Sequence, residues 1–325
     1  MAEKKIRTIA ILTSGGDAPG MNAVIRAVVR AGIKNGLNVK GIERGYAGLL
    51  NEEIVDFSTE SVKNIIERGG TMLYTARCAE MMHTSGQKRA AEILKDHEID
   101  ALVVAGGDGS FRGAETLAAN GVKVIGVPCT IDLDIGSTDY TIGFDTAVNT
   151  AMEAVDKIRD TSTSHERCSI IEVMGRSAGY LALWCGIASG AEEILLPELY
   201  DGDEQAIIDR ITESRQKGKK QFILINAEGV GHSASMARRI EAATGIDTRA
   251  TILGYMQRGG SPTCRDRVCA SVMGDMAVQL LLNGKYNRVV SLKDGSYTDF
   301  DIHEAESMTK ELDEELIRIP YALKR

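Results

Sequence analysis

The chain has 325 residues, 43% of them hydrophobic and 26% charged, with a formal net charge of −8. That length and apolar content suffice for two domains of ordinary size with buried cores, and they exclude a disordered chain. The acidic balance offers no basic stripe for a nucleic acid, and no segment approaches the roughly 20 apolar residues of a membrane span, so neither is expected as a partner.

The chain starts MAEKKIRTIAIL, with two lysines and an arginine ahead of an apolar run. The run reaches only Leu12 before Thr13-Ser14-Gly15-Gly16. It is too short for the apolar part of a signal peptide and reads as a buried first strand, which places the protein in the cytoplasm. Six cysteines (Cys78, Cys129, Cys168, Cys185, Cys264, Cys269) form no CxxC pair, as expected of free thiols in a reduced compartment. Short β-branched runs recur at Thr8 to Leu12, Val39 to Ile42, Ala101 to Val104, Val124 to Val127, Ser169 to Val173, Phe222 to Ile225 and Val289 to Leu292. Each is followed by a glycine-containing turn and a helical pattern, which predicts α/β architecture with parallel strands covered on both faces. Ligands of such sheets bind beyond the carboxyl ends of the strands. The charged tail from Glu304 to Glu315 reads as a solvated helix with Met308, Leu312 and Leu316 on one seam.

Three motifs follow these strands. Thr13-Ser14-Gly15-Gly16-Asp17-Ala18-Pro19-Gly20 opens a helix expected over Ala23 to Ala31. Its glycines and the free N–H groups of the helix start suit a phosphate, although an ordinary strand-to-helix turn has the same look. It matches neither GxGxxG nor GxxxxGK[ST]. In Gly106-Gly107-Asp108-Gly109-Ser110 an acid sits among phosphate-ready glycines. A Mg²⁺ between Asp108 and phosphate oxygens resolves that conflict, with a helix cap by Asp108 or Ser110 as the other reading. Pro128-Cys129-Thr130-Ile131-Asp132-Leu133-Asp134 places two carboxylates at i and i+2, where one can serve as general base; turn formation is the plainer role. Arg77, Arg167, Arg176, Arg249 and Arg258 sit beside glycines or serines and suit bidentate phosphate recognition. The five histidines are dispersed, and no Ser-His-Asp arrangement can be assembled from them.

Taken together, TSGGDAPGMNA, GGDGS, PCTIDLD, DYTIGFDTA, EVMGR and TRATILGYMQRGGSP resemble, in order, the signature of the bacterial ATP-dependent 6-phosphofructokinases, over about Ile9 to Leu292. The resemblance implies two three-layer α/β/α domains with mainly parallel sheets: 1–143 and 256–308 for nucleotide and metal, 144–255 and 309–325 for sugar phosphate. It implies ATP phosphates on Gly16, Arg77, Cys78, Gly107, Asp108, Gly109 and Ser110, with Asp108 holding Mg²⁺. Fructose 6-phosphate is implied at Thr130, Ile131, Asp132, Met174, Gly175, Arg176, Glu228, Tyr255, Met256, Gln257 and Arg258, with Arg167 and Arg249 reaching its 6-phosphate from a neighbouring subunit. Asp132 is implied as the general base, with Thr130, Arg77 and Arg176 beside it in catalysis. A homotetramer is implied. So is a second anionic site for ADP or phosphoenolpyruvate at Arg26, Arg30, Arg159, Lys217 and Lys219, with Glu192 for the effector's metal.

The chain departs from this pattern in places. The family usually has Gly for Tyr74, Gly for Cys129, Asn for Leu133 and His for Tyr255. Around the effector site it has Arg for Thr59 and an acid for Asn64. Two rival readings remain: a pyrophosphate-dependent kinase, whose relatives carry Asp for Gly109 and Lys for Cys129, and a non-catalytic regulatory paralogue.

Overall fold

The computed structural model describes residues 6–323, so the two lysines of the basic start lie outside the described residues while Arg7 lies within them. The strands are β1 (Thr8–Ser14), β2 (Asn38–Ile42), β3 (Ile54–Phe57), β4 (Ala101–Gly106), β5 (Lys123–Thr130), β6 (Ile142–Gly143), β7 (Cys168–Val173), β8 (Glu193–Leu195), β9 (Phe222–Ala227), β10 (Thr248–Ile252), β11 (Arg288–Lys293) and β12 (Ser296–Asp301). The helices are α1 (Met21–Lys34), α2 (Gly45–Leu50), α3 (Thr84–Asp96), α4 (Asp108–Ala119), α5 (Phe144–His165), α6 (Tyr180–Ser189), α7 (Glu204–Gln216), α8 (Ser233–Thr244), α9 (Cys264–Leu282), α10 (Ile302–Ser307) and α11 (Glu314–Leu323).

The chain divides into two compact units. The first comprises the described chain before Asp132 with Ile135–Thr146 and Arg258–Lys310. Its sheet runs β12-β11-β5-β4-β1-β2-β3, with β6 paired to β5. All pairings are parallel except β11 with β12 and β2 with β3. Every residue of β1 and β4 is buried, as strands covered on both faces require. α1 buries Val24, Ile25, Val28 and Val29 and leaves Arg30 exposed, a stripe at helical spacing. The second unit comprises Asp132–Asp134, Ala147–Gln257 and the described chain from Glu311. Its sheet is β10-β7-β9-β8, all parallel, over a core that includes Ile170, Phe222, Leu224, Met236 and Ile240. Among the described residues no helix is long and apolar enough to cross a membrane.

All seven expected strands are present. The tail differs from expectation: α10 ends at Ser307, Met308 is extended with φ −72° and ψ 133°, and helix resumes only at Glu314. Two contacts explain the break. The Met308 carbonyl lies so close to Gly136 that a Cβ there would collide with it, and Lys310 Nζ donates to the Thr138 carbonyl at 2.9 Å. Met308 and Leu312 therefore fall between helices, and only Leu316 lies on one.

Candidate active site

Strand register brings the ends of the three strands that lead into these motifs to one edge of the first unit. Ser14 pairs with Gly106 across β1 and β4, and Gly106 with Pro128 across β4 and β5. The carboxyl ends of the three central strands, with the segments that follow them, are thus neighbours. Gly106 is required there: a Cβ on it would lie 2.5 Å from the Ser14 carbonyl oxygen and would also strike Ser110 Oγ. Gly16 is exposed, and the Arg258 guanidinium rests against it, 3.3 Å from where a Cβ would stand. Thr75 Oγ1 donates to the Gly15 carbonyl at 2.7 Å, and Thr13 Oγ1 to the Tyr74 carbonyl at 2.8 Å. These bonds tie the segment bearing exposed Arg77 and half-buried Cys78 to the first loop.

Asp108 opens α4 half-exposed and pairs with Arg112 one turn on, itself 3.8 Å from Glu306. Glu306 is held above the usual carboxylate range, chiefly by burial. Among the described residues no group of three or more His, Cys, Asp or Glu side chains gathers for a metal. A lone half-exposed carboxylate beside open glycines fits Mg²⁺, which takes one or two carboxylates and completes its shell with water and substrate phosphate. A Cβ on Gly109 would meet nothing within 4 Å, so the loop is open above Asp108. Ser110, in contrast, is buried; its carbonyl accepts from Tyr46 Oη at 2.6 Å, and its hydroxyl lies under the glycines. Neither Arg112 nor Tyr46 was singled out by sequence; the i, i+4 spacing of Asp108 and Arg112 was the available signal.

In the second unit, β7 and β9 end side by side, Val173 opposite Ala227. Arg176 follows β7 with φ 58° and donates its backbone N–H to Glu228 Oε1 at 2.5 Å. Glu228 thereby holds the Gly175-Arg176 turn. Gln257 is fully buried, and its Oε1 accepts from the Met174 N–H at 2.8 Å. Ile131 and Met174 are buried as well. Tyr255 and Met256 are exposed on the turn Gly254–Arg258. Arg167 and Arg249 converge on one carboxylate, Asp247, at 2.5 and 2.9 Å. Two guanidiniums on one acid leave a net positive point, and Asp247 is a member that sequence reading missed. Thr130 and Asp132 are half-buried at and beyond the end of β5.

Of the expected effector residues, Glu192, Lys217 and Lys219 line one cavity of about 750 Å³ in the second unit. Its bases are already compensated: Lys217 pairs with Glu213 at 2.6 Å, Lys219 with Glu192, and Arg210 with Glu193 at 2.8 Å. Ile319, Pro320 and Leu323 of α11 supply an apolar wall. Arg159 donates to the Ser189 carbonyl at 2.5 Å. Arg26 and Arg30 lie on α1 in the first unit.

The sequence pattern of the family described as Phosphofructokinase matches residues 8–281. The chain belongs to the phosphofructokinase family. It is 54% identical over 321 residues, 98% of this chain and 100% of the relative, to an ATP-dependent 6-phosphofructokinase of Clostridium botulinum. The identity and both coverages are the same for the ATP-dependent 6-phosphofructokinase of Clostridium acetobutylicum. The phosphofructokinase of Pichia pastoris in the T-state superposes with a TM-score of 0.88 at 35% identity, over 94% of this chain and 38% of that longer one.

Within the phosphofructokinase family the departures acquire a backbone meaning. Tyr74 and Leu133 have φ of 56° and 58°, the left-handed region that Gly and Asn tolerate best. Gly and Asn are the residues the family usually places there, so this chain accepts strain at both points. Cys129 is fully buried and its thiol is pushed up by burial, so it packs and presents nothing to a ligand.

Proposed function

We propose that the chain is a cytoplasmic homotetramer that transfers the γ-phosphoryl group of ATP to the 1-hydroxyl of D-fructose 6-phosphate, giving fructose 1,6-bisphosphate and ADP, a phosphotransferase step of glycolysis. The observation that carries this is identity of 54% along the whole length of ATP-dependent 6-phosphofructokinases, with Gly109 left open as an α-phosphate requires. An Asp at 109 would fill and repel that position, which disfavours the pyrophosphate-dependent reading.

Asp132 accepts the proton of the 1-hydroxyl as its oxygen attacks the γ-phosphorus and ADP leaves. Thr130 and Arg77 flank the transferred group, and Arg176 stabilises its charge. Phosphoryl transfer asks for this positioning and neutralisation more than for covalent chemistry. Gly16, Cys78, Gly107 and Gly109 cradle ATP through backbone. Asp108 would hold Mg²⁺, which would supply neutralisation of phosphate charge. Ser110, being buried, supports the loop from below. Arg258 and Tyr255 bind the sugar phosphate, and Arg167 and Arg249 reach its 6-phosphate from a neighbouring subunit. Because the bases around the 750 Å³ cavity are paired with carboxylates, a bound ADP or phosphoenolpyruvate must displace them, and regulation there is weak.

ADP release from ATP, measured with and without fructose 6-phosphate and with pyrophosphate in place of ATP, tests the reading. Sugar-dependent release from ATP alone supports it. No sugar-dependent release, or turnover with pyrophosphate only, overturns it.

A further inference from the structure

Asp266 belongs to none of the motifs above, yet it is fully buried and its carboxylate accepts four hydrogen bonds. Tyr140 Oη and the Gly143 N–H donate to Oδ1 at 2.5 and 2.7 Å. The Thr146 N–H and Oγ1 donate to Oδ2 at 2.9 and 2.5 Å. Thr263, which caps α9, donates its N–H to Thr146 Oγ1 at 3.0 Å and its hydroxyl to Asp145 at 2.6 Å. The Arg265 guanidinium stacks on the Tyr140 ring at 4.3 Å. One acid thus fastens the segment from Tyr140 to Thr146 at both ends and in its middle.

That segment contains β6, which pairs with the last two residues of β5, Cys129 with Ile142 and Thr130 with Gly143. A strand of two residues has little ladder of its own to fix it. It also packs on the first loop: a Cβ on Gly143 would meet Ala18 Cβ at 2.8 Å and Ile131 Cγ2 at 3.4 Å, and one on Gly20 would meet Ile142 Cγ2 at 2.5 Å. β6 is therefore wedged between the glycine-rich turn after β1 and the strand end that carries Thr130, two residues before Asp132. Resting on the assignment of Thr130 and Asp132 given above, we infer that Asp266 is a positioning residue for phosphoryl transfer, holding β6 so that the end of β5 and the first phosphate loop keep their register.

Burial raises the Asp266 pKa, and the donors from Thr146, Tyr140 and Gly143 pull it back. Four donors on two oxygens suit the ionised form. Asp266→Asn keeps the size but puts an NH₂ where an acceptor stood. Hydroxyls can turn to accept from it; the backbone N–H of Gly143 or of Thr146 cannot, and one of them is orphaned. A small displacement of catalytic groups by a remote change can cost about 10²-fold in rate.

The experiment compares the full-length parent, Asp266→Asn and Tyr140→Phe, with kcat counted per folded chain and KM taken for each substrate. The expected result is a kcat for Asp266→Asn lower by roughly 10²-fold with KM for ATP held within about threefold, and a smaller fall for Tyr140→Phe, whose carboxylate keeps three donors. A residue that merely holds the fold together would lower the melting temperature and leave kcat per folded chain alone. Folded Asp266→Asn with kcat within about twofold of the parent overturns the inference. If that variant does not fold, Tyr140→Phe decides: a fall of about fivefold or more supports the inference and an unchanged kcat overturns it. A parent without sugar-dependent ADP release overturns the underlying kinase reading instead.

Discussion

Replacing Gly109 by Asp should move stability and nucleotide affinity in opposite directions. A Cβ at 109 meets nothing within 4 Å, and φ there is not positive, so the side chain enters without collision or backbone strain. The position lies in the first turn of α4, where losing glycine's entropy cost gains about 0.5–1 kcal/mol and an acid near the helix N-terminus gains about 0.3–1 kcal/mol. Against ATP the sign reverses. A carboxylate about 5 Å from a phosphate charge is repelled by roughly 0.8 kcal/mol at the dielectric of water and roughly 3.3 kcal/mol at an effective value near 20. Taking about 2 kcal/mol for a half-exposed loop gives a loss of roughly 30-fold in ATP affinity. Steady-state KM for ATP and thermal melting of parent and variant form the assay. An ATP KM within about threefold of the parent would refute the placement of the nucleotide over Gly109, and a clear fall in melting temperature would refute the open geometry of the loop.

Asp132→Asn should lower kcat by about 10²–10⁴-fold with nucleotide binding nearly intact, and a kcat within about threefold would remove Asp132 as general base. Arg249→Ala should raise KM for fructose 6-phosphate far more than that for ATP, since a charge-assisted bond to phosphate is worth about 1.5–3 kcal/mol; it also leaves Asp247 to Arg167 alone. Mixed with Asp132→Asn chains, it should regain some activity in hybrid tetramers, and no rescue in confirmed hybrids would argue for a site built within one chain. Thr59→Arg should tighten ADP or phosphoenolpyruvate binding about tenfold by calorimetry, and equal affinities would show that position 59 does not face the effector. For Asp139, partial burial pushes the carboxyl up, but the Lys293 ammonium at 2.8 Å and the Asp294 N–H outweigh it and hold it below its ordinary value. Stabilisation from a lowered carboxylate is present above the unfolded pKa and lost as pH falls through the folded one. Lys293→Met should therefore cost about 1 °C of melting temperature, a small effect because the pair is exposed, constant from pH 8 to about 5 and shrinking below about pH 4. A loss that grew as pH fell would contradict this.

The buried strands were legible in the sequence because β1, β4, β5, β7, β9 and β11 lie inside their sheets and must be apolar on both faces. The strands that were missed are, except for two-residue β6, edge strands: β3 and β12 in one sheet, β8 and β10 in the other. An edge is partly wetted, so β12 reads Ser-Tyr-Thr-Asp-Phe-Asp and β10 Thr-Arg-Ala-Thr-Ile, patterns without an apolar run. In the tail, helical spacing was present, but the packing of Met308 against Gly136 overrode it. At the candidate site, the residues that type and pattern singled out were the glycines, Asp108, Asp132 and the arginines. Those that act by holding others were not: Asp247 gathers two arginines, and Asp266 binds residues more than a hundred positions away. Their partners are set by strand order, which no local pattern records.

The most direct measurement is phosphorus NMR of the products formed from ATP and fructose 6-phosphate, with the γ-phosphorus labelled by ¹⁸O. The account predicts ADP and a new phosphomonoester on the sugar O1 that carries the label, in equal amounts. Label appearing in inorganic phosphate, or a sugar left unphosphorylated at O1 while ATP is consumed, would contradict it.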